Sequence, residues 1–417
     1  MLDIIYAENF FAYLHGFSAV DFWLAEKQTN NFIYILTNAD TAALAKLFEN
    51  LRYPGVDLAD AALDDDDKTY YFRCADSVNA NKTSFDLLDF YYNCKTKTFI
   101  DPHEIYPVLK EIRQNLINDL NNQKNNENQI SPLLILNDCF NPDIDRTLSL
   151  MDAALILSKY FSHDCVSEKD IKKIATLFKN SDTSQTQNRT QIVRTPSAEE
   201  QRVFLCELIT SPNPGLGFEL LKNCGFLDMF WSELASLDQA DHSKEFHPEG
   251  NGWEHTMETF RHRKTGTNKT FLQAVYSYDL RLSLGLLLHD SGKPLAPAAG
   301  NKRYDGHAEL GEMQARRFLE RLGFGSALIT DVCFLVRNHM LPAALPRLPL
   351  FRTEQIMSSS LFPLLMELYR CDESSSFKGL DGYYESSAVY QQFLKNRRNP
   401  YRSVNGKKLN KKQKNKK

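Results

Sequence analysis

The stretch LSLGLLLHDSGKP, residues 282–294, decides how the second half of this chain is read. Leu282–Leu288 is apolar on every side, the pattern of a helix buried all round. That helix delivers His289 and Asp290 at its end, where Ser-Gly-Lys-Pro breaks it. An adjacent His and Asp taken out of water are costly unless something compensates them, and a metal ion would do so. Lys293, three residues on, can hold a phosphate as a point charge. The dipeptide alone carries little: His163–Asp164 repeats it with no supporting ligands nearby in the sequence.

Outward from this stretch, further candidate ligands recur: His255 in GWEHTME, His307 in YDGHAELGE, His339 in VRNHMLP and Asp372 in LYRCDES. Each lies about one helix and turn beyond the last, so all can converge in a helical bundle. Imidazoles with carboxylates suit a divalent cation such as Mn, Fe, Co, Ni or Zn, or Mg with waters completing its shell. His247 and His262 fall outside the pattern and read as surface or structural residues.

The remaining chain frames this centre. At 417 residues it holds two or three domains, with cores large enough to need no staples. A net charge of −4 and a 42% apolar share indicate a globular protein, not a strongly basic polyanion coat. No apolar run approaches the length of a membrane span, and MLDIIYAENFF lacks the basic start of a secretory leader. The eight cysteines show no CxxC and read as reduced core residues of a cytoplasmic protein. Strands are expected at 31–37, 69–74 and 84–92, with a helix at 41–51. The acidic DLADAALDDDDK, 57–68, reads as a solvated loop. Polar stretches at 115–131 and 180–190 interrupt the chain. Helices are expected over 145–162, 168–179, 198–210 and 215–236, and throughout the region beyond 236. Lys407–Lys417, with seven lysines, reads as a solubilising tail.

At FHPEGNGWEHTMET (246–259), LLLHDSGKP (286–294), GHAELGEMQARRFLERLGF (306–324) and LVRNHMLP (335–342), the chain resembles the HD superfamily of metal-dependent phosphohydrolases. Within it, the resemblance is to the HD domain of bacterial CCA-adding enzymes and poly(A) polymerases. It implies a multidomain protein: a small α+β nucleotidyltransferase-like head (1–118), an Asn-rich linker (119–131), an all-α neck (132–235), an all-α HD domain (236–400) and a Lys-rich tail (401–417).

The same resemblance implies a head that has lost its chemistry. YLHGFSAVDFWL (13–24) looks like the family's Gly-Gly turn, with Phe17 and Val20 where the second Gly and the Arg belong. FIYILTNAD (32–40) looks like the strand that carries Asp-x-Asp, with Phe32 and Tyr34 at the two carboxylate positions. KTSFDLLD (82–89) has Ser84 for the third Asp, FIDPHE (99–104) looks like the following turn, and DRTLSLMDAALILS (145–158) lacks the arginines of the nucleotide helix. Two-metal phosphoryl transfer needs those carboxylates. Only Asp21, Asp86 and Asp89 stand as substitutes.

The expectation is therefore a metal-dependent phosphohydrolase acting on a nucleotide or RNA-end phosphoester, 2′,3′-cyclic phosphates among them. His255, His289, Asp290 and Asp372 would hold one ion, with Asp290 bridging to a second held by His307 and His339. Asp290 and Lys293 are the expected catalytic residues, Arg337 adding charge, and bound hydroxide attacks phosphorus. The expected partners are nucleotide or RNA, tRNA included, and no membrane. Two alternatives stand beside it: a tRNA nucleotidyltransferase or poly(A) polymerase-type RNA-processing enzyme with residual transfer, and a non-catalytic RNA-binding protein.

Overall fold

A computed structural model describes residues 1–25, 31–54, 59–65, 68–76, 89–102, 104–107, 109–110, 112, 146–163, 166–179, 195–240, 251–264, 279–296, 298–299, 303–376, 379–399 and 403. These fall into two compact units, one within Met1–Phe226 and the other comprising Leu227–Lys264 and the chain from Asp279 onward. The architecture is a mixed sheet with short helices, followed by a helical remainder.

The first unit opens with helix α1 (Leu2–Ala7) and strand β1 (Ala12–His15), then turns at Gly16 into α2 (Phe17–Ala25). Gly16 has φ of 57°, a left-handed conformation that glycine adopts without strain. Strand β2 (Phe32–Thr37), helix α3 (Thr41–Leu47) and strands β3 (Ala61–Asp65), β4 (Lys68–Cys74), β5 (Tyr91–Asn93) and β6 (Thr98–Ile100) complete the head. The sheet order is β3-β4-β2-β1-β5-β6, with β2 and β4 parallel and every other pair antiparallel. The β-branched and aromatic runs at 31–37 and 69–74 form β2 and β4 as their composition dictates.

Two expectations change here. The acidic loop at 57–68 contains β3, because Ala61, Ala62 and Leu63 are buried against β4 while only Asp64 and Asp65 reach solvent. The expected strand at 84–92 lies partly outside the described residues, and its described end forms β5 only from Tyr91.

Helices α4 (Arg146–Tyr160), α5 (Glu168–Lys179), α6 (Ala198–Thr210) and α7 (Pro214–Asn223) follow. A Ser197–Glu200 capping box starts α6. A Cβ at Gly217 would lie 2.3 Å from Ser158 Oγ and 2.6 Å from the Ala154 carbonyl, so only glycine lets α7 approach α4 this closely. The single helix expected at 215–236 is three: α7, α8 (Phe226–Phe230) and α9 (Ser232–Ala235). Gly225, at φ 77°, ends the first, and Trp231, with non-helical φ −132° and ψ 54°, separates the others.

Besides α9, the second unit contains α10 (Gly252–Arg261), α11 (Leu280–Leu288), a β7–β8 hairpin (Ala298–Ala299, Arg303–Tyr304), α12 (His307–Arg321), α13 (Ser326–Asn338), α14 (Leu341–Ala344), α15 (Leu350–Met357), α16 (Phe362–Ser374) and α17 (Asp381–Arg398). Every residue of 282–288 is buried, so α11 is the core helix, packed by α10, α13 and α16. Burying each of its leucines is worth about 1.5–3 kcal/mol. Among the described residues the cysteines are free, and no helix is long and apolar enough to cross a membrane.

Candidate metal centre

The candidate ligands sit where helices begin and end. His289 closes α11 and His339 closes α13; His307 opens α12 behind Gly306, whose φ is 81°. His255 lies in the first half of α10, started by an Asn251–Glu254 capping box. Asp372 lies in the last turn of α16. A Cβ at Gly292 would stand 2.0 Å from the His307 carbonyl and 2.3 Å from the Gly311 nitrogen. The turn carrying His289 and Asp290 therefore packs backbone to backbone on the first turn of α12.

Asp290 is the hub. Its Oδ2 lies 3.3 Å from His289 Nε2, 3.8 Å from His255 Nε2 and 2.5 Å from Lys293 Nζ. Its Oδ1 faces the other way, 3.7 Å from His307 Nε2 and 3.8 Å from His339 Nε2. Asp372 Oδ1 lies 3.0 Å from His255 Nε2 and 3.9 Å from His289 Nε2. All six predicted ligand residues thus meet, as two groups sharing Asp290: His255, His289 and Asp290 on one side, and Asp290, His307 and His339 on the other. Lys293 belongs to the cluster. Arg337 instead pairs with Glu309 at 3.1 Å, with both side chains largely exposed. His262 sits beside Glu258, and His247 and Asp164 lie outside the described residues.

Hydrogen bonds fix which nitrogen of each ring faces inward. His289, His307 and His339 each bond through Nδ1 to a carbonyl three residues back, those of Leu286, Tyr304 and Val336, at 2.7–2.8 Å. A carbonyl only accepts, so each Nδ1 carries a proton, and in the neutral form of the ring Nε2 presents a lone pair. Those lone pairs point at acceptors. His307 and His339 bring their Nε2 atoms within 3.1 Å, and His289 Nε2 is buried with no hydrogen-bond partner. Acceptor against acceptor is repulsive unless a proton or a cation lies between. Four imidazoles and two carboxylates are a donor set that fits a divalent ion.

The electrostatics agree. Burial opposes ionisation of Asp290, but His289 and Lys293 overcome it and hold the carboxyl well below the usual range. Burial likewise opposes ionisation of Asp372, and the neighbouring His255, with Nε2 3.0 Å from Oδ1, outweighs it and holds the carboxyl low. Burial, reinforced by His289, pushes His339 down to about 4, so it is neutral and free to ligate at neutral pH.

The head presents different chemistry. Phe32 and Tyr34 pack against the small core of Ala59, Ala62, Tyr71 and Val203. The Tyr34 hydroxyl donates to Glu207 Oε1 at 3.2 Å. Of the substitute acids, Asp21 is fully buried and held by Lys159 Nζ at 3.0 Å and the Tyr160 hydroxyl at 3.0 Å. Asp89 accepts from the Tyr91 hydroxyl at 3.1 Å, and Asp86 lies outside the described residues. A cavity of about 340 Å³ opens beside Tyr34, lined also by His15, Arg73, Asp89, Asp152 and Glu207. Burial and the neighbouring Arg73 push His15 down to about 3. Lys159 and Glu207 carry no motif, and their pairing with distant head residues left no sequence signal.

No protein-family model matches the chain. In sequence it is similar to CCA-adding tRNA nucleotidyltransferases. It is 34% identical to the CC-adding tRNA nucleotidyltransferase of Thermus thermophilus over 149 residues, 35% of this chain and 32% of that protein. It is 32% identical to the multifunctional CCA protein of Halorhodospira halophila over 134 residues, 32% of this chain and 29% of that protein. The matched stretch thus spans about a third of the relatives' length. Among solved structures, the Bacillus stearothermophilus CCA-adding enzyme in complex with CTP aligns at TM-score 0.45 and 13% identity, covering 95% of this chain and 81% of that one. The similarity corrects the expectation of a phosphohydrolase: the Thermus thermophilus relative is by name a nucleotidyltransferase, which is a transferase. A clustered donor set specifies a bound charge, not the nucleophile that a phosphate meets, so hydrolysis does not follow from it.

Proposed function

We propose that this chain is a tRNA-processing protein of the CCA-adding nucleotidyltransferase kind, which binds tRNA and nucleotides and transfers nucleotides to an RNA end. The observation that carries the reading is the similarity to a CC-adding tRNA nucleotidyltransferase, 34% over 149 residues. In this reading His255, His289, Asp290 and Asp372 would hold one divalent ion, and Asp290, His307 and His339 would hold a second. Mn, Ni, Co, Fe and Mg all suit oxygen and imidazole donors.

Such an ion supplies positive charge that binds and polarises a phosphate group. The chain's own residues do the remaining work. The four backbone-anchored or helix-anchored imidazoles hold their geometry without reorganisation, Asp290 spans both halves of the centre, and Lys293 can turn from Asp290 to a phosphate oxygen. In the head, the cavity beside Tyr34 offers aromatic walls and carboxylates to a nucleotide base.

A second reading, RNA binding without transfer, is favoured by one observation: Phe32 and Tyr34, neither of them a carboxylate, pack where the resemblance calls for carboxylates. One experiment separates the two. The full chain is incubated with a tRNA lacking its 3′ CCA, labelled CTP and ATP, and Mn²⁺ or Mg²⁺. Label in the tRNA supports transfer, and retention of tRNA on a filter without label supports the second reading. Neither retention nor label overturns both.

A further inference from the structure

Three of the four inward-facing histidines orient themselves. His289 and His339 stand at helix C-termini, where the carbonyls of Leu286 and Val336 are among those the helix leaves without an amide partner. Their Nδ1 protons fill that vacancy. His307 uses the Tyr304 carbonyl of β8 in the same way. His255 is placed differently. It lies inside α10, and the carbonyl three residues back, Gly252, already accepts from the Thr256 hydroxyl at 2.7 Å.

His255 turns to another helix. Its Nδ1 lies 3.2 Å from the Oγ of Ser375, a buried residue that caps the C-terminus of α16. The Ser375 hydroxyl donates its one proton to the Asp372 carbonyl at 2.6 Å, so toward His255 it acts as acceptor. His255 must then carry its proton on Nδ1, which leaves Nε2 to face Asp372 Oδ1 and Asp290 Oδ2.

We infer that Ser375 is the positioning residue of this centre: it fixes the ring orientation and Nδ1 protonation of His255 and ties that ring to the segment that carries Asp372. The inference rests on the reading of His255 as an ion ligand. A hydroxyl is required because it alone donates backward to the helix and accepts from the ring at once. Alanine would remove the hydroxyl that Nδ1 meets at 3.2 Å, and with it the contact that sets which ring nitrogen faces inward. Threonine keeps the hydroxyl.

The test uses the full chain with ¹⁵N-labelled histidine, without metal, and compares wild type with Ser375→Ala and Ser375→Thr. In wild type the His255 Nδ1 proton gives a downfield, slowly exchanging signal. Ser375→Ala is expected to move it upfield and speed its exchange, while the His289 and His339 signals stay in place; Ser375→Thr restores it. Titration with Mn²⁺ is then expected to show affinity down about 10–100-fold in Ser375→Ala, the range for lost partners of ligand histidines, and near wild type in Ser375→Thr. An unchanged His255 signal in Ser375→Ala, or unchanged Mn²⁺ affinity, overturns the inference. A wild-type chain that takes up no Mn²⁺ while the His255 signal still depends on Ser375 overturns the ligand reading alone.

Discussion

At the scale of single residues, Asp290 differs from every other member of the centre because its two oxygens serve the two groups separately. Removing His339 should empty only one side. His339→Ala is therefore expected to lower the bound-ion count while leaving the ion at His255 and His289, as read by isothermal titration with Mn²⁺. A second residue-scale prediction concerns the head. Glu207 is buried, one of its carboxylate oxygens has no hydrogen-bond partner, and Lys159 reaches it only at 3.7 Å because that ammonium is engaged with Asp21. Burial accordingly raises the Glu207 carboxyl above 4.5. A raised acid binds its proton more tightly in the folded state, so the folded form holds more protons there and stability falls as pH rises through the folded value. Glu207→Gln should flatten that decline, measured as urea midpoints between pH 4.5 and neutrality; an unaltered slope counts against the burial account.

At the scale of elements, glycines set how closely helices and turns can approach. Gly292→Ala forces a Cβ onto the His307 carbonyl and the Gly311 nitrogen, backbone atoms that cannot rotate away. The cost should reach the upper part of the overpacking range, about 3 kcal/mol, and the thermal midpoint should drop, with Mn²⁺ affinity falling because His307 and Asp290 are pushed apart. Elements also show what the sequence made legible. Strands β2 and β4 announce themselves by β-branched and aromatic residues, and α11 by leucines on every face. Strand β3 was hidden because Ala61, Ala62 and Leu63 are followed by acids that dominate the composition of 57–68. The clustered histidines and carboxylates could be read because imidazole and carboxylate recur at helix-length intervals. Ser375 could not: a lone serine has no signature until the fold sets it beside His255. The Asp21–Lys159–Glu207 network was equally silent, since its members are far apart in sequence.

At the scale of the whole molecule, the chain distributes its polar chemistry over two units. In the first, a buried polar network ties sheet to helices: α2 supplies Asp21, α4 supplies Lys159 and Tyr160, α6 supplies Glu207, and β2 supplies Tyr34. Breaking a buried pair by removing one partner strands the other charge, so Lys159→Met should cost about 3–5 kcal/mol of folding stability. Its readout is the unfolding midpoint. In the second unit, buried polar groups converge on one centre. The central claim is that this centre holds divalent ions through Asp290. Its most direct measurement is elemental analysis of the full chain, loaded with Mn²⁺ and desalted, beside Asp290→Asn treated identically. Wild type should retain at least one ion per chain and Asp290→Asn none, because both groups lose their shared ligand; retention equal in the two proteins, or none in wild type, would contradict it.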